Sequence, residues 1–264
     1  MAVRLAVAGA AGRMGQRIIA LAAADSRFTV VAALDAAASG RIGQDAGEMA
    51  GAGRMGIAIG ESITGDFDVL IDFSAAAATV RWLDACLQRK RPIVIGTTGH
   101  DAAQIAAIES ASRQIAVLKS ANMSVGVNAL LRAVEQVARS LGAEYDVEII
   151  ETHHRFKADA PSGTALALKD AVVRGRADLT RVVHGRSGVT GQRPPGEIGI
   201  HAVRCGDVVG EHDVRFSTLG ETVVLRHIAH SRDTFARGAL AAAAWLSGKP
   251  AGLYGMGEVL AARL

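Results

Sequence analysis

Five short apolar runs punctuate the first 120 residues: VRLAVAG (3–9), TVVAALD (29–35), DVLIDFS (68–74), PIVIGTT (92–98) and IAVLKSAN (115–122). Near-continuous runs of Val, Ile, Leu and Ala are the pattern of strands buried on both faces, as in a parallel sheet. Longer stretches of helical period separate several of them, among them RMGQRIIALAAAD and HDAAQIAAIESASR. The alternation predicts βαβ units and an α/β fold with a doubly wound parallel sheet of Rossmann type. Such sheets bind ligands beyond the carboxyl ends of their strands.

After Asn122 the period changes. SVGVNALLRAVEQVARSLG sets Val127, Leu130, Leu131, Val134, Val137, Ala138 and Leu141 at helical spacing. A strand-like YDVEIIET follows, then a helix from about Ser162 and a Gly/Pro-rich loop over 186–199. The runs IHAVRC, EHDVRFST and ETVVLRHIA are strand candidates whose short connections predict antiparallel pairing within one sheet. The stretch TFARGALAAAAWLSG is helical again and is expected to pack back onto the first domain. The expected division is a first domain over 1–123, completed by 235–264, and a smaller α+β domain over 124–234.

Composition narrows the class. Half of the 264 residues are apolar, enough for a substantial core and unlike a disordered chain. No run of 18 apolar residues occurs, and the opening MAVRLAVAGAAG is too short and glycine-rich for a signal peptide or membrane span, so a cytoplasmic protein without membrane contact is expected. Cys86 and Cys205 stand far apart and predict free thiols, with neither a disulfide framework nor a metal site. The formal charge of +3 comes from scattered Lys and Arg without interleaved aromatics, which argues against nucleic acid and leaves a small anionic ligand.

Three motifs carry candidate chemistry. Gly9-Ala10-Ala11-Gly12-Arg13-Met14-Gly15 follows a strand and opens a helix, where glycines permit a tight turn and close approach to a pyrophosphate. A glycine-rich turn without a ligand is the alternative for the motif alone. Asp35, ending the next strand twenty residues after Gly15, can hold a ribose hydroxyl, and together they point to a nicotinamide dinucleotide. The spacing is GxxGxxG, a variation on GxGxxG. Gly96-Thr97-Thr98-Gly99 ends another strand, as cofactor lining or as a turn before a helix capped near Asp101. Ser120-Ala121-Asn122-Met123 does the same at the exit to the second domain, as cofactor lining or hinge.

The third motif, ETHHRFKADAPSGTA (151–165), crowds His153, His154, Arg155 and Lys157 before a turn through Pro161, Ser162 and Gly163. Such a concentration of cationic groups calls for an anion, and a helix beginning at that turn offers N–H groups to a carboxylate. Asp159 is either part of that site or a structural partner for Lys157.

Together these segments resemble the bacterial 4-hydroxy-tetrahydrodipicolinate reductase family, long called dihydrodipicolinate reductase. The match runs through GAAGRMG, IDFS, VIGTTG, SANMSVGVN, HHRFKADAPSGTA, PGEIGIHAVRCGDVVGEH and SRDTFARGA. The resemblance implies a dinucleotide-binding domain, a second domain with a mixed sheet, and a homotetramer assembled through those sheets. It implies His153 and Lys157 as the catalytic pair, and His154, Ser162, Gly163 and Thr164 as substrate contacts. It implies cofactor contacts from Gly9, Ala10, Ala11, Gly12, Arg13 and Met14, from Asp35, from Gly96, Thr97 and Thr98, and from Ser120, Ala121, Asn122 and Met123. The implied reaction is hydride transfer from NADH or NADPH to a cyclic dicarboxylate, giving tetrahydrodipicolinate on the diaminopimelate route to lysine. His153, titrating near neutrality, is the expected proton donor, with Lys157 holding the substrate or sharing the acid role. Some relatives carry a basic residue after the ribose-binding acid. Ala36 stands there in this chain, and a modest preference for NADH is expected.

Overall fold

The computed structural model describes residues 1–262 and contains two compact units, Met1–Val125 with the segment from Arg232 onward, and Gly126–Ser231. In the first unit the strands are β1 (Val3–Ala8), β2 (Phe28–Leu34), β3 (Ile59–Gly60), β4 (Val69–Asp72), β5 (Ile93–Ile95) and β6 (Ala116–Lys119), joined by β12 (Gly252–Tyr254). Their order is β12-β6-β5-β4-β1-β2-β3, and every neighbouring pair is parallel. All the carboxyl ends therefore lie along one edge of the sheet. The direction of winding reverses between β1 and β4, where open α/β sheets form their ligand crevice.

Period-two alternation divides the core. Leu5, Val7, Val69, Ile71, Val94 and Leu118 face α1 (Arg13–Ala23) and α7 (Asp233–Leu246), while Ala6, Ala8, Leu70, Ile93, Ile95 and Val117 face α3 (Ala76–Arg89) and α4 (Ala102–Ser112). The short helices α2 (Ala46–Ala50) and α8 (Met256–Ala261) complete this unit. The alanine run of α7 has a packing reason: Ala236, Ala239, Ala242 and Ala243 are fully buried, and small side chains bring the helix close to the chain beneath it. At Gly238 the approach is closest, because a Cβ there would lie 1.7 Å from the carbonyl oxygen of Met123.

The second unit holds α5 (Val125–Ser140), β7 (Asp146–His153), α6 (Gly163–Gly175), β8 (Arg181–Val183), β9 (Glu197–Arg204), β10 (Gly210–Thr218) and β11 (Glu221–Ala229). Its sheet runs β11-β10-β7-β9-β8, with β7 antiparallel to β10 and parallel to β9. One face packs under the two helices through Leu130, Val134, Leu168, Val172, Val147, Ile149, Ile200, Val214 and Phe216. The fold is thus a doubly wound parallel sheet, as the sequence pattern predicts, with a smaller α+β unit whose mixed sheet is the one the family resemblance implies.

One expectation fails. Of the three strands expected to pair antiparallel in sequence, only β10 and β11 do so. β9 and β10 do not touch as a hairpin, because β7 lies between them. The connection at 205–209 must cross two strand spacings, about 10 Å, and five residues can span that easily at roughly 3.3 Å each. β7 occupies the centre, hydrogen-bonded to β10 on one side and β9 on the other, and is buried at every second position along its length. The short strands β3, β8 and β12 and the helix α3 carry too few pattern positions, or too mixed a face, to be separated from loop by period alone.

Gly238→Ala is expected to destabilise the fold by about 1–3 kcal/mol, the usual cost of overpacking a filled core, because the obstructing atom is backbone. Gly257→Ala, where among the described residues nothing outside its own helix turn lies within 4 Å of the added Cβ, is the control and should be neutral or mildly stabilising. Urea unfolding midpoints check both. An unchanged midpoint for Gly238→Ala would contradict the close seat of α7.

Candidate active site

The first unit gathers polar backbone at the switch point. Gly9 adopts φ +78°, and a Cβ there would sit 2.2 Å from the carbonyl oxygen of Phe73, so only glycine fits between β1 and the end of β4. Gly15 is under similar compulsion, with a Cβ placed 2.1 Å from the Gly9 carbonyl oxygen. Gly12 caps α1 without a side chain, leaving the N–H groups of the first turn unserved by any cap. A cavity of about 420 Å³ opens beside this loop, lined by Gly9, Ala11, Gly12, Asp35, Ala36, Ser39, Arg41, Phe73, Ser74 and Arg81 among others. The Asp35 carboxylate accepts from the N–H of Ala11 (2.8 Å) and of Ala36 (2.8 Å), which tie it to the glycine loop and leave lone pairs on both oxygens. These features fit a dinucleotide, with pyrophosphate on the helix start and ribose on Asp35.

Thr97, Thr98, Ser120 and Ala121 line a second cavity, of about 430 Å³, with His100, Lys119 and Tyr254. Thr97 is buried, and its hydroxyl accepts from the Ser74 N–H (3.0 Å), a latch between the ends of β4 and β5. Gly96 leaves room for the Phe73 ring, which an added Cβ would meet at 2.2 Å. Ser120 donates to the Asn122 carbonyl (2.8 Å), and the Asn122 side chain accepts from the Ser124 N–H (2.9 Å). Met123 is 2 % exposed and belongs to the core, so its side chain is spent on packing.

In the second unit the chemistry sits on β7. Val147, Ile149, Glu151 and His153 alternate onto the same buried face, so the apolar face of the strand ends in a carboxylate and an imidazole. Glu151 is wholly buried and has four hydrogen bonds. It accepts from His153 Nδ1 (2.6 Å), from Arg204 Nη1 and Nη2 (2.7 and 2.8 Å), and from the Ser162 N–H (3.0 Å). Because the carboxylate can only accept, His153 carries its proton on Nδ1, and Nε2 is the other nitrogen, beside Gly210, whose missing Cβ would lie 3.0 Å from it. The Ser162 hydroxyl caps α6 by accepting from the Ala165 N–H (3.2 Å) and stands 3.2 Å from His212 Nε2. His212 packs edge-on against His153 at 5.2 Å between centroids.

Burial tends to raise the Glu151 carboxyl, but Arg204, His153 and the Ser162 N–H outweigh it and hold the group below the usual range. Burial pushes His153 below its ordinary value, against the pull of Glu151. His212 is pushed down to about 3, first by burial and then by His153, and is neutral at pH 7. Lys157 lies on the loop after β7 and pairs with Asp159 at 2.9 Å. Its own N–H donates to the His154 carbonyl (3.1 Å), closing a turn. Gly163, at the start of α6, is exposed with open space around it.

The sequence-derived residues therefore fall into two sets. Gly9 to Met14, Asp35, Gly96 to Thr98 and Ser120 to Met123 lie along one sheet edge of the first unit, although Arg13 is exposed and outside the first cavity's lining. His153, His154, Lys157, Ser162, Gly163 and Thr164 lie between β7 and the start of α6 in the second. Sequence reasoning missed Glu151, Arg204 and His212. The available signal was the alternation of β7, which puts Glu151 in phase with Val147 and Ile149.

Both halves of the chain match known families. A model described as dihydrodipicolinate reductase, N-terminus, matches residues 3–123, and one described as dihydrodipicolinate reductase, C-terminus, matches residues 126–260. A solved dihydrodipicolinate reductase from Paenisporosarcina sp. TG-14, with dipicolinate bound, superposes with a TM-score of 0.77 at 25 % identity, covering 98 % of this chain and 100 % of that one. A myo-inositol dehydrogenase from Corynebacterium glutamicum (TM-score 0.60, 14 % identity, 96 % and 90 % covered) shares the fold. An aspartate dehydrogenase from Thermotoga maritima (TM-score 0.51, 13 % identity, 95 % and 99 % covered) shares it too. With family models spanning both units and the dinucleotide loop and the β7–α6 site each inside its matched half, the chain belongs to the dihydrodipicolinate reductase family.

Proposed function

We propose that this protein reduces the cyclic dicarboxylate derived from 4-hydroxy-tetrahydrodipicolinate to tetrahydrodipicolinate with NADH or NADPH, in diaminopimelate and lysine biosynthesis. The observation that carries the reading is the juxtaposition, within the half matched by the C-terminal family model, of an imidazole of fixed tautomer, a lysine and the start of α6 with its exposed Gly163. A dianionic ring offers a carboxylate that can take the place of Asp159 on Lys157 and a second for the exposed turn at Gly163. The start of α6 and Lys157 hold its carboxylates, with Lys157 exchanging Asp159 for substrate.

The reduced nicotinamide, when bound, supplies the hydride. Gly9 to Met14 hold the pyrophosphate, Asp35 the adenosine ribose, and the carboxyl ends of β5 and β6 the remainder. Lys157 stabilises the negative charge that develops on the ring, and His153 delivers a proton from Nε2. Homotetrameric assembly through the second unit's sheet is part of the reading, supported by the exposed apolar residues Val223, Val224 and Ile228 on the edge strand β11. A cytoplasmic location follows from the biosynthetic role, and no described helix is long and apolar enough to cross a membrane.

The primary test is NADH oxidation with the preceding synthase's product supplied fresh. Turnover is expected, and its absence with active synthase would reject the reading. His153→Gln should lower kcat by about 10²–10⁴-fold with a smaller effect on KM, the usual contribution of a general acid; activity within threefold of wild type would remove His153 from the mechanism.

The pH profile has a definite sign. Only the imidazolium donates, so rate is lost as pH rises through the His153 pKa. In the free protein that pKa lies below its ordinary value, and the bound dianion raises it. The falling limb of kcat should therefore lie at higher pH than that of kcat/KM. Coincident limbs would contradict the assignment.

For the cofactor, kcat/KM should favour NADH by about tenfold or less, because Asp35 meets the added 2′-phosphate of NADPH with like charge. Ala36→Arg should move the ratio toward NADPH. Arg41, which lines the Asp35 cavity, is the cation placed to moderate the preference, so Arg41→Ala should sharpen it toward NADH. A wild type that clearly prefers NADPH would refute the Asp35 argument.

A further inference from the structure

The proton donor inferred above is only as good as its aim, and an imidazole left alone is poorly aimed. Neutral imidazole in water favours the proton on Nε2, which would leave Nδ1 as the bare nitrogen. Three of the four donors on Glu151 do not involve His153: two come from the Arg204 guanidinium on the neighbouring strand β9, and one from the backbone of Ser162 at the start of α6. They fix the carboxylate in place and in charge, leaving Oε2 2.6 Å from His153 Nδ1. Arg204 is anchored in turn by donating to the Asp159 carbonyl (2.7 Å).

We infer that Glu151 is a positioning residue for the reduction: clamped by Arg204, it orients His153, fixes its tautomer and registers it against the carboxylate-binding start of α6. The inference rests on the reading given under Proposed function and adds a group that touches neither substrate nor cofactor. One carboxylate thereby sets two distances at once. Oε2 places the proton donor, and Oε1, through the Ser162 N–H, places the turn that precedes the exposed Gly163. The missing side chain at Gly210 belongs to the same arrangement, since it keeps the space beside Nε2 clear. When the proton is delivered from Nε2, the N–H on Nδ1 stays with His153, and Glu151 remains ionised throughout.

The charged and titratable groups around His153 are Glu151 on its own strand, Arg204 on β9, His212 on β10, and Lys157 with Asp159 on the following loop. Glu151 is the anion in contact with the imidazole, so its removal has a predictable sign.

The test compares Glu151→Gln with the wild type under saturating NADH, after wild-type turnover has been established. Failure of the wild type to turn over would count against the functional reading, whereas an active wild type with an indifferent variant would count against this inference alone. In Glu151→Gln, kcat is expected to fall about 10- to 100-fold, the scale of a misplaced reacting group, with NADH affinity unchanged. The falling limb of kcat should move to lower pH by about one pH unit, because an opposite charge beside the imidazolium has been lost. Added to His153→Gln, the same change should cost less than threefold further in kcat. A merely structural role would lower the folded fraction and leave the limb where it was. Glu151→Gln with wild-type kcat per folded molecule, or with an unmoved limb, would overturn the inference. If Glu151→Gln does not fold, Glu151→Asp decides. It keeps the charge but withdraws it by one methylene, so at least a tenfold loss of kcat is expected, and wild-type kcat would overturn the inference.

Discussion

A carboxylate removed entirely from water must be met by donors, or the fold that buries it is penalised by several kcal/mol. Glu151 is such a group, and much of the second unit is arranged around satisfying it. The requirement draws Arg204 across from β9, fixes the backbone at Ser162 and orients His153. Removing any one donor leaves a buried charge short of partners, so this cluster is bound together more tightly than its individual bonds suggest. The same constraint explains why the strand reads as core and yet carries chemistry. A rigid strand packed on helices holds its side chains more precisely than a loop does.

The first unit solves a different problem, bringing backbone close to backbone. At the reversal of winding between β1 and β4, side chains are absent where they would collide: Gly9 against Phe73, Gly15 against Gly9, and Gly96 against the Phe73 ring. The result is an edge of unencumbered N–H groups with one carboxylate, Asp35, tied to it by hydrogen bonds. One unit thus exposes main-chain dipoles suited to a phosphate, and the other presents side-chain donors suited to a carboxylate and a proton.

Much of this was legible in the sequence. Short apolar runs alternating with longer segments of helical period pointed to the parallel sheet and its helices, and the glycine loop with Asp35 pointed to the dinucleotide reading. What escaped notice has physical reasons. The central place of β7 is a pairing between strands distant in sequence, which connection length does not record. Arg204 lies 53 residues from Glu151, and no local pattern joins them. Glu151 itself was visible as a charged residue, but its burial follows only once the strand's phase is fixed by Val147 and Ile149. Met123 runs the other way, since its motif position suggested ligand contact while its side chain went to the core.

The helix α7 and the strand β12 belong to the first unit's core and sheet, yet they stand after the whole of the second unit in the chain. Synthesis runs from the N-terminus at about 5–20 residues per second, so more than a hundred residues separate the emergence of β6 from that of the helix covering one face of its sheet. During that interval Leu5, Val7, Val69 and Leu118 lack the cover of α7. The unit encoded in the middle emerges in full before α7 and β12, so the second unit is free to fold on the ribosome while the first still waits for the helix and strand that complete it.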